Sequence, residues 1–364
     1  MIEYRTGGLV VSEGQLDSPG TYLPFDSMQM FRAAWELPAQ CAAAWRLGQE
    51  AALPPAKRYR NIVVAGLGGS AIGGDLLRVF TAGRLGIPVV VNRDYRLPRF
   101  VDDGTLVFVV SYSGNTEETL SAYEDARAKG ASLVALTAGG KLGERAKADG
   151  VPLVAIPAGI APRAATGYLF LPTLAVLERL SLLEGMAAEV DGLVQHLEAL
   201  RGQYGPDTPV EQNPAKKLAK SLYGRLPVIW GVAGTTEVAA QRWKGQINEN
   251  AKAPAYWNVF PELNHNEIVG FEQPGEVLGS IWLVILRDPE DHPRVNLRME
   301  ITRSFVGAAA GISEFTASGP TRLARLYSLV YLGDYTSLYL AVLYGTDPGP
   351  VRVIDHLKAE LGRM

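Results

Sequence analysis

Between residues 61 and 159 the chain passes five times through a short run of consecutive apolar residues: in NIVVAG from 61, PVVVN from 88, TLVFVV from 105, SLVALTA from 132 and VPLVAI from 151. A strand with one wet face alternates apolar and polar residues. These runs do not, so both their faces must be covered. Helical stretches separate several of them, and strands alternating with helices pack as a parallel sheet with helices on both sides. The plan then returns. A helix at 214–224 precedes LPVIWGVAGTTEVAAQRWKGQINEN (226–250), which reads as strand, glycine-and-hydroxyl turn and helix; GSIWLVILRD (279–288) and GISEFTAS (311–318) are further strands. Helical stretches are expected at 24–52, interrupted by Pro38, at 167–185, and at 319–344 and 348–362.

A chain of 364 residues is longer than one hydrophobic core usually supports. The polar stretch around 200–215, RGQYGPDTPVEQNP, reads as a linker. It divides the chain into an N-terminal domain at 1–205, with its leading helical segment, and a C-terminal domain at 206–364. The expected fold class is therefore α/β, with two domains of similar plan, each a parallel sheet flanked by helices on both faces. A net charge of −3 argues against a broad nucleic-acid surface. The single cysteine, Cys41, permits no internal disulfide and suggests a reducing compartment. The four histidines show no metal-ligand spacing, so no metal is expected. The N-terminus shows no secretory pattern, and apolar runs such as IWLVIL (281–286) are too short to span a bilayer. A cytoplasmic protein that binds no membrane is the expectation.

Two loops carry chemistry. In GLGGSAIGGD (66–75), Gly66, Gly68 and Ala71 satisfy a loose GxGxxG/A pattern between a strand and a helix. Such a turn brings backbone N–H groups and a helix start close to an anion; it also serves merely to pack strand on helix. The second strand ends in Asn92-Arg93-Asp94, which leaves a dinucleotide reading open. The second loop, SYSGNTEET (111–119), follows TLVFVV and places Ser111, Ser113 and Thr116 at a helix start, with no lysine or arginine. Hydroxyls, main-chain amides and a helix dipole suffice to hold a phosphate monoester. A second such loop in the same sheet is foreign to the dinucleotide pattern. Thr116 alone is equally an ordinary N-cap, which accounts for one hydroxyl and not for the cluster.

In the second half, Glu249 ends a helix, where its charge opposes the dipole, and a carboxylate there can act as a base. His265 lies in the loop Asn264-His265-Asn266-Glu267, and its imidazole can move protons near neutrality. A helix-end glutamate and a loop histidine are each more often structural.

The strings GLGGSAIGGDLL, SYSGNTEETL, ENAKAPA, FPELNHNEIVGFE and GDYTSLYLA, in that order, resemble the bifunctional phosphoglucose/phosphomannose isomerases of the SIS (sugar isomerase) family, over nearly the whole chain. The resemblance implies two SIS domains, a homodimer, and a histidine supplied to each site by the partner subunit. It implies a phosphate site at Ser111, Ser113 and Thr116, with Gly69 and Ser70 lining the substrate. Glu249 falls on the family's base and His265 on the residue that opens the sugar ring. Arg163, in APRAATGYL, falls on the arginine that steadies the intermediate; by itself it is equally a surface ion-pair residue. The family's threonine that admits mannose 6-phosphate, near a lysine-bearing C-terminal helix, is not placed: GDYTSLYLAVLYG contains no lysine, and Thr336 is not securely in register.

The implied reaction interconverts glucose 6-phosphate, and mannose 6-phosphate with it, with fructose 6-phosphate through an enediolate, needing neither cofactor nor metal. A non-catalytic sugar-phosphate-binding SIS regulator would keep the hydroxyl loop without Glu249, His265 and Arg163, and would normally carry a DNA-binding helical domain that the first 60 residues lack. An NAD-linked dehydrogenase would rest on Gly66, Gly68 and Ala71 alone.

Overall fold

The computed structural model describes residues 13–363, which form two compact units. The first-sheet unit comprises Glu36–Glu198 and Ser318–Ser328. The second-sheet unit comprises the described chain up to Trp35, Ala199–Ala317, and the chain from Leu329 on. A single cut at 205/206 therefore does not reproduce the spatial division, because the leading helix joins the second-sheet unit. There Phe31 packs on Tyr339 with ring centroids 5.3 Å apart, and the Arg201 guanidinium lies 4.6 Å over Trp35. The helical stretch is interrupted at Pro38, as expected. Helix α1 (Met30–Trp35) ends before it, and α2 (Leu37–Glu50) begins with it in the first turn, where its missing N–H costs nothing.

The first-sheet unit runs β1 (Asn61–Ala65), α3 (Gly69–Thr81), β2 (Val89–Asn92), β3 (Thr105–Val110), α4 (Glu117–Ala128), β4 (Ser132–Thr137), α5 (Gly140–Ala148), β5 (Leu153–Ala155) and α6 (Thr166–Arg179), followed by α7 (Met186–Tyr204). The sheet order is β2-β1-β3-β4-β5, all parallel, with Ile62 opposite Leu106 and Val107 opposite Leu133. All six residues of β3 are buried, as its unbroken apolar run requires. On one face Val63, Val107, Val109 and Ala135 meet Ala122, Tyr123 and Ala126 of α4 and Leu142 of α5.

The second-sheet unit contains α8 (Pro214–Leu222), β6 (Leu226–Val232), α9 (Glu237–Gln246), β7 (Tyr256–Phe260), β8 (Ile281–Arg287), α10 (Pro293–Arg303) and β9 (Gly311–Thr316). After these come α11 (Arg322–Leu343), whose residues up to Ser328 group with the first-sheet unit, and α12 (Arg352–Leu361). The order is β7-β6-β8-β9, again all parallel, over a core of Trp230, Phe260, Leu283, Ile285 and Met299. Helix α11 is long and apolar enough to cross a membrane by length and composition, yet that stretch is wholly buried within the protein.

Two expectations are corrected. Strand β7 lies where no strand was expected, because as an edge strand it leaves Tyr256 and Trp257 exposed and shows no apolar run. The polar stretch at 200–215 is not a solvated linker. Helix α7 runs to Tyr204, Asn213 caps α8 by accepting from the Ala215 and Lys216 amides at 3.0 and 3.1 Å, and Lys216 is 0% exposed. Its ammonium donates to the Pro206 and Thr208 carbonyls, both at 2.8 Å, and lies 3.5 Å from Asp17. Burial pulls the Lys216 pKa down, and Asp17 opposes that shift. Loop carbonyls that leave water need donors, and one lysine supplies them.

Candidate active site

In a parallel sheet the strand C-termini and the following helix N-termini share one edge, and polar ligands bind there. The first sheet presents three loops at that edge. Gly66–Ser70 follows β1, Ser111–Thr116 follows β3, and the segment with Arg163 follows β5. They are tied together. A Cβ on Gly69 would stand 2.9 Å from the Pro162 carbonyl oxygen and 3.4 Å from the Arg163 Cα, so only glycine allows this approach. The Tyr112 amide donates to Ser70 Oγ at 3.3 Å. Arg163 is 4% exposed, in a helical turn bracketed by Gln40, which donates to the Ala164 carbonyl at 3.0 Å and accepts from the Gly167 amide at 2.8 Å. An ordinary surface ion pair is therefore not its role.

Within the β3–α4 loop the hydroxyls form a chain. Ser111 Oγ accepts from the Gly114 amide at 3.1 Å and donates to Thr116 Oγ1 at 3.1 Å; Ser113 Oγ accepts from the Asn115 amide at 3.2 Å. Ser70, Ser113 and Thr116 thus act as acceptors in these bonds, and each hydroxyl keeps its proton for a ligand. Thr116 stands at the N-cap of α4 and makes no side-chain cap bond, so the plain N-cap reading fails. The N-terminus of α4 adds its dipole. The structure brings Gly69, Ser70, Ser111, Ser113, Thr116 and Arg163 together in one unit, with an arrangement suited to an anion.

Two supports were not legible as functional. Tyr112 reads as an interruption of the polar loop. Its hydroxyl donates to the Pro157 carbonyl and accepts from the Ile160 amide, both at 3.1 Å, and burial raises the phenol's pKa, keeping it neutral. Gly114 has φ +70°, and a Cβ there would lie 1.8 Å from the Gly139 carbonyl oxygen. Gly114→Ala is expected to lower the thermal midpoint and to weaken inorganic phosphate binding by roughly tenfold or more, equivalent to about 1.4 kcal/mol. Differential scanning fluorimetry and calorimetric titration measure both.

Glu249 and His265 belong to the second-sheet unit. Glu249, half-buried, lies in a single π-helical turn, Ile247–Ala251, that continues α9. Such turns re-aim side chains at a helix end. The turn is fastened on several sides. Asn250 Nδ2 donates to Ser337 Oγ at 2.8 Å, and Asn248 Nδ2 donates to the Ala253 carbonyl at 2.8 Å. Lys252, left-handed at φ 55°, donates to the Glu249 carbonyl at 2.6 Å and the Pro348 carbonyl at 3.1 Å, which explains the lysine in ENAKAPA.

His265 is exposed, in a helical turn just after β7. Around it Asn264 Nδ2 donates to Thr302 Oγ1 at 2.8 Å, and Glu267 accepts from Trp230 Nε1 at 2.8 Å and from Asn258 Nδ2. These bonds fasten the loop on either side of the exposed His265.

The two residues are not brought together within this unit. Helix α9 starts at the C-terminal edge of the sheet and returns against the strands, so Glu249 comes about 20 Å back, at the N-terminal edge. Strand β7 then runs parallel to β6 and carries the chain forward by roughly 16 Å to His265. They stand at opposite edges of one sheet.

Thr336 is 1% exposed in α11 and donates to the Leu332 carbonyl at 2.8 Å, so it is a core residue that meets no ligand. Among the described residues, no group of three or more His, Cys, Asp or Glu side chains is placed to hold a metal.

Residues 57–156 match the SIS domain, and residues 211–361 match the bacterial phospho-glucose isomerase C-terminal SIS domain. The chain is 52% identical over 337 residues to a bifunctional phosphoglucose/phosphomannose isomerase of Caldicellulosiruptor bescii, covering 92% of this chain and 99% of that one. Identity is 38% over 305 residues to one of Aquifex aeolicus, covering 83% and 91%. In fold the chain is similar to a glucose-6-phosphate isomerase like protein from Thermus thermophilus, at TM-score 0.61 and 22% identity, covering 92% and 97%.

Proposed function

Since the chain belongs to the family of bifunctional phosphoglucose/phosphomannose isomerases, we propose that it interconverts glucose 6-phosphate and mannose 6-phosphate with fructose 6-phosphate. The observation that carries this reading is the cradle of Ser70, Ser113 and Thr116, three hydroxyls that keep donors for a monoester phosphate at a helix start. A phosphate held there orients the open-chain sugar by a group remote from the reacting carbons.

Aldose–ketose conversion moves one proton between C2 and C1, with no net oxidation. His265 passes a proton from the C1 hydroxyl to the ring oxygen, and the ring opens. The Glu249 carboxylate takes the C2 proton, and the C2–H electrons become the C1–C2 double bond of the enediolate. The O2 hydroxyl proton passes to O1, and return of the carbon-bound proton to C1 leaves the C2 carbonyl of the ketose. Arg163, always cationic, balances the enediolate charge. Glucose and mannose phosphates differ only at C2 and share this intermediate, so one base serves both.

The opposite placement of Glu249 and His265 supports a homodimer in which each site takes His265 from the partner subunit. Co-expression of Glu249→Gln with His265→Ala tests it. Each variant alone is expected to be nearly inactive. Mixed dimers would hold one site with both residues intact, restoring about a quarter of wild-type turnover after random pairing. If both residues came from one chain, mixing would restore nothing.

The single cysteine, Cys41, is buried and unpaired, which fits a reducing cytoplasm. Against a nicotinamide enzyme stands the second polar loop after β3 in the same sheet, which the dinucleotide pattern lacks. A SIS regulator would have no use for the fastened π turn beneath Glu249. Nicotinamide titration, expected to show no binding, tests the first of these two alternatives, and turnover of fructose 6-phosphate tests the second.

A further inference from the structure

The two sheets share one topology. In β2-β1-β3-β4 and β7-β6-β8-β9, strands β1 and β6 are the first of each unit, and β3 and β8 sit on the same side of them. The counterpart of the Ser111–Thr116 loop is thus the segment after β8, Asp288–His292, and the counterpart of the Ser70 turn is the one carrying Thr235 and Thr236. The second turn is made of the same kinds of group as the first, with glycines, two threonine hydroxyls and the N-terminus of α9, which with its π turn spans Glu237–Ala251.

The hydroxyl protons are disposed differently. In the first-sheet unit the Ser70, Ser113 and Thr116 hydroxyls accept and keep their protons. In the second, Thr236 Oγ1 accepts from the Val232 amide and donates to the Leu286 carbonyl, both at 2.8 Å. Thr235 Oγ1 donates to Asp291 Oδ1 at 2.5 Å. The other oxygen of Asp291 accepts from the Asp288 amide at 2.8 Å, and Asp288 Oδ1 accepts from the Glu290 amide at 2.8 Å. Asp291 and Asp288 are 5% and 8% exposed. The hydroxyl and loop amides that would meet a bound anion at this edge already meet a carboxylate of the chain itself, and two buried acids would repel a second anion.

We propose that Asp291 is the built-in occupant of the second sheet's anion cradle, so that this unit takes no phosphate ester and each chain binds one. This rests on the reading of the Ser111–Thr116 loop as a phosphate site.

Calorimetric titration of the full-length protein with fructose 6-phosphate is expected to give one site per chain; two sites per chain would overturn the inference. Ser111→Ala/Ser113→Ala is expected to abolish that binding. If one site per chain survives it, Thr235→Ala is added. Loss of binding then puts the phosphate in the second unit and overturns the inference, whereas persistence tells against the first-loop reading alone. In the Ser111→Ala/Ser113→Ala background, Asp291→Ala is expected to lower the thermal midpoint by several degrees. Inorganic phosphate is expected to recover part of that loss while leaving the Asp291 parent unmoved, since an anion that binds only the folded state stabilises it. A variant that folds and shows no phosphate-dependent shift would refute the occupant role. Should it fail to fold, the stoichiometry decides.

Discussion

Glu249→Gln is expected to reduce isomerisation of fructose 6-phosphate by about 10²–10⁴-fold in kcat, with KM changed little. Glutamine keeps the size and shape of the side chain, and the bonds that fasten the turn are made by Asn248, Asn250 and Lys252 around it. The loss therefore reads the carboxylate and not the fold. Mannose 6-phosphate should lose turnover by the same factor, because both aldoses pass through one enediolate. The same substitution should also stop exchange with solvent of the C2 proton of glucose 6-phosphate, followed by NMR in deuterated buffer. Unchanged turnover would move the base elsewhere; loss with one aldose alone would mean that the epimers use different bases.

The second large effect concerns what holds α9 in place. The Arg242 guanidinium meets Asp334 of α11 through two bonds, at 3.1 and 2.8 Å, and Gln246 Nε2 donates to the same carboxylate at 2.8 Å. Arg242 is buried and its partner nearly so. Asp334→Ala would remove the carboxylate that accepts all three of these buried bonds and is expected to cost about 3–5 kcal/mol, read by urea unfolding of the full-length protein. Turnover should fall as well, because Gln246 and Glu249 lie on the same helical segment. Arg242→Met combined with Asp334→Leu should recover most of the stability, since well-packed apolar residues replace such a pair at little cost. If Asp334→Ala unfolds like wild type, the pair does not organise the helix.

Much of the architecture was legible because it depends on local pattern. Unbroken apolar runs such as TLVFVV announce strands covered on both faces, and the glycines and hydroxyls that follow announce turns at their ends. The hydroxyl loop was legible for the same reason, being contiguous in the chain. Tyr112, Gly114 and Lys252 were not legible as supports of the site. What each does is decided by a distant carbonyl or amide, at Pro157, Gly139 and Pro348. Strand β7 escaped notice because an edge strand with exposed aromatics lacks the apolar signature that marks buried strands.

By itself the sequence determined the α/β class, the doubled plan, and a polar loop suited to phosphate, all of which follow from side-chain period and turn chemistry within a few consecutive residues. Only the tertiary structure decided three things: that the polar stretch at 200–215 wraps a buried lysine, that Glu249 and His265 stand at opposite edges of one sheet, and that the second cradle is closed by Asp291. Each of these depends on where a hydrogen-bond partner or a sheet edge lies in space. A buried donor, acceptor or charge takes whatever partner the fold brings to it, and no local pattern along the chain records which one that will be.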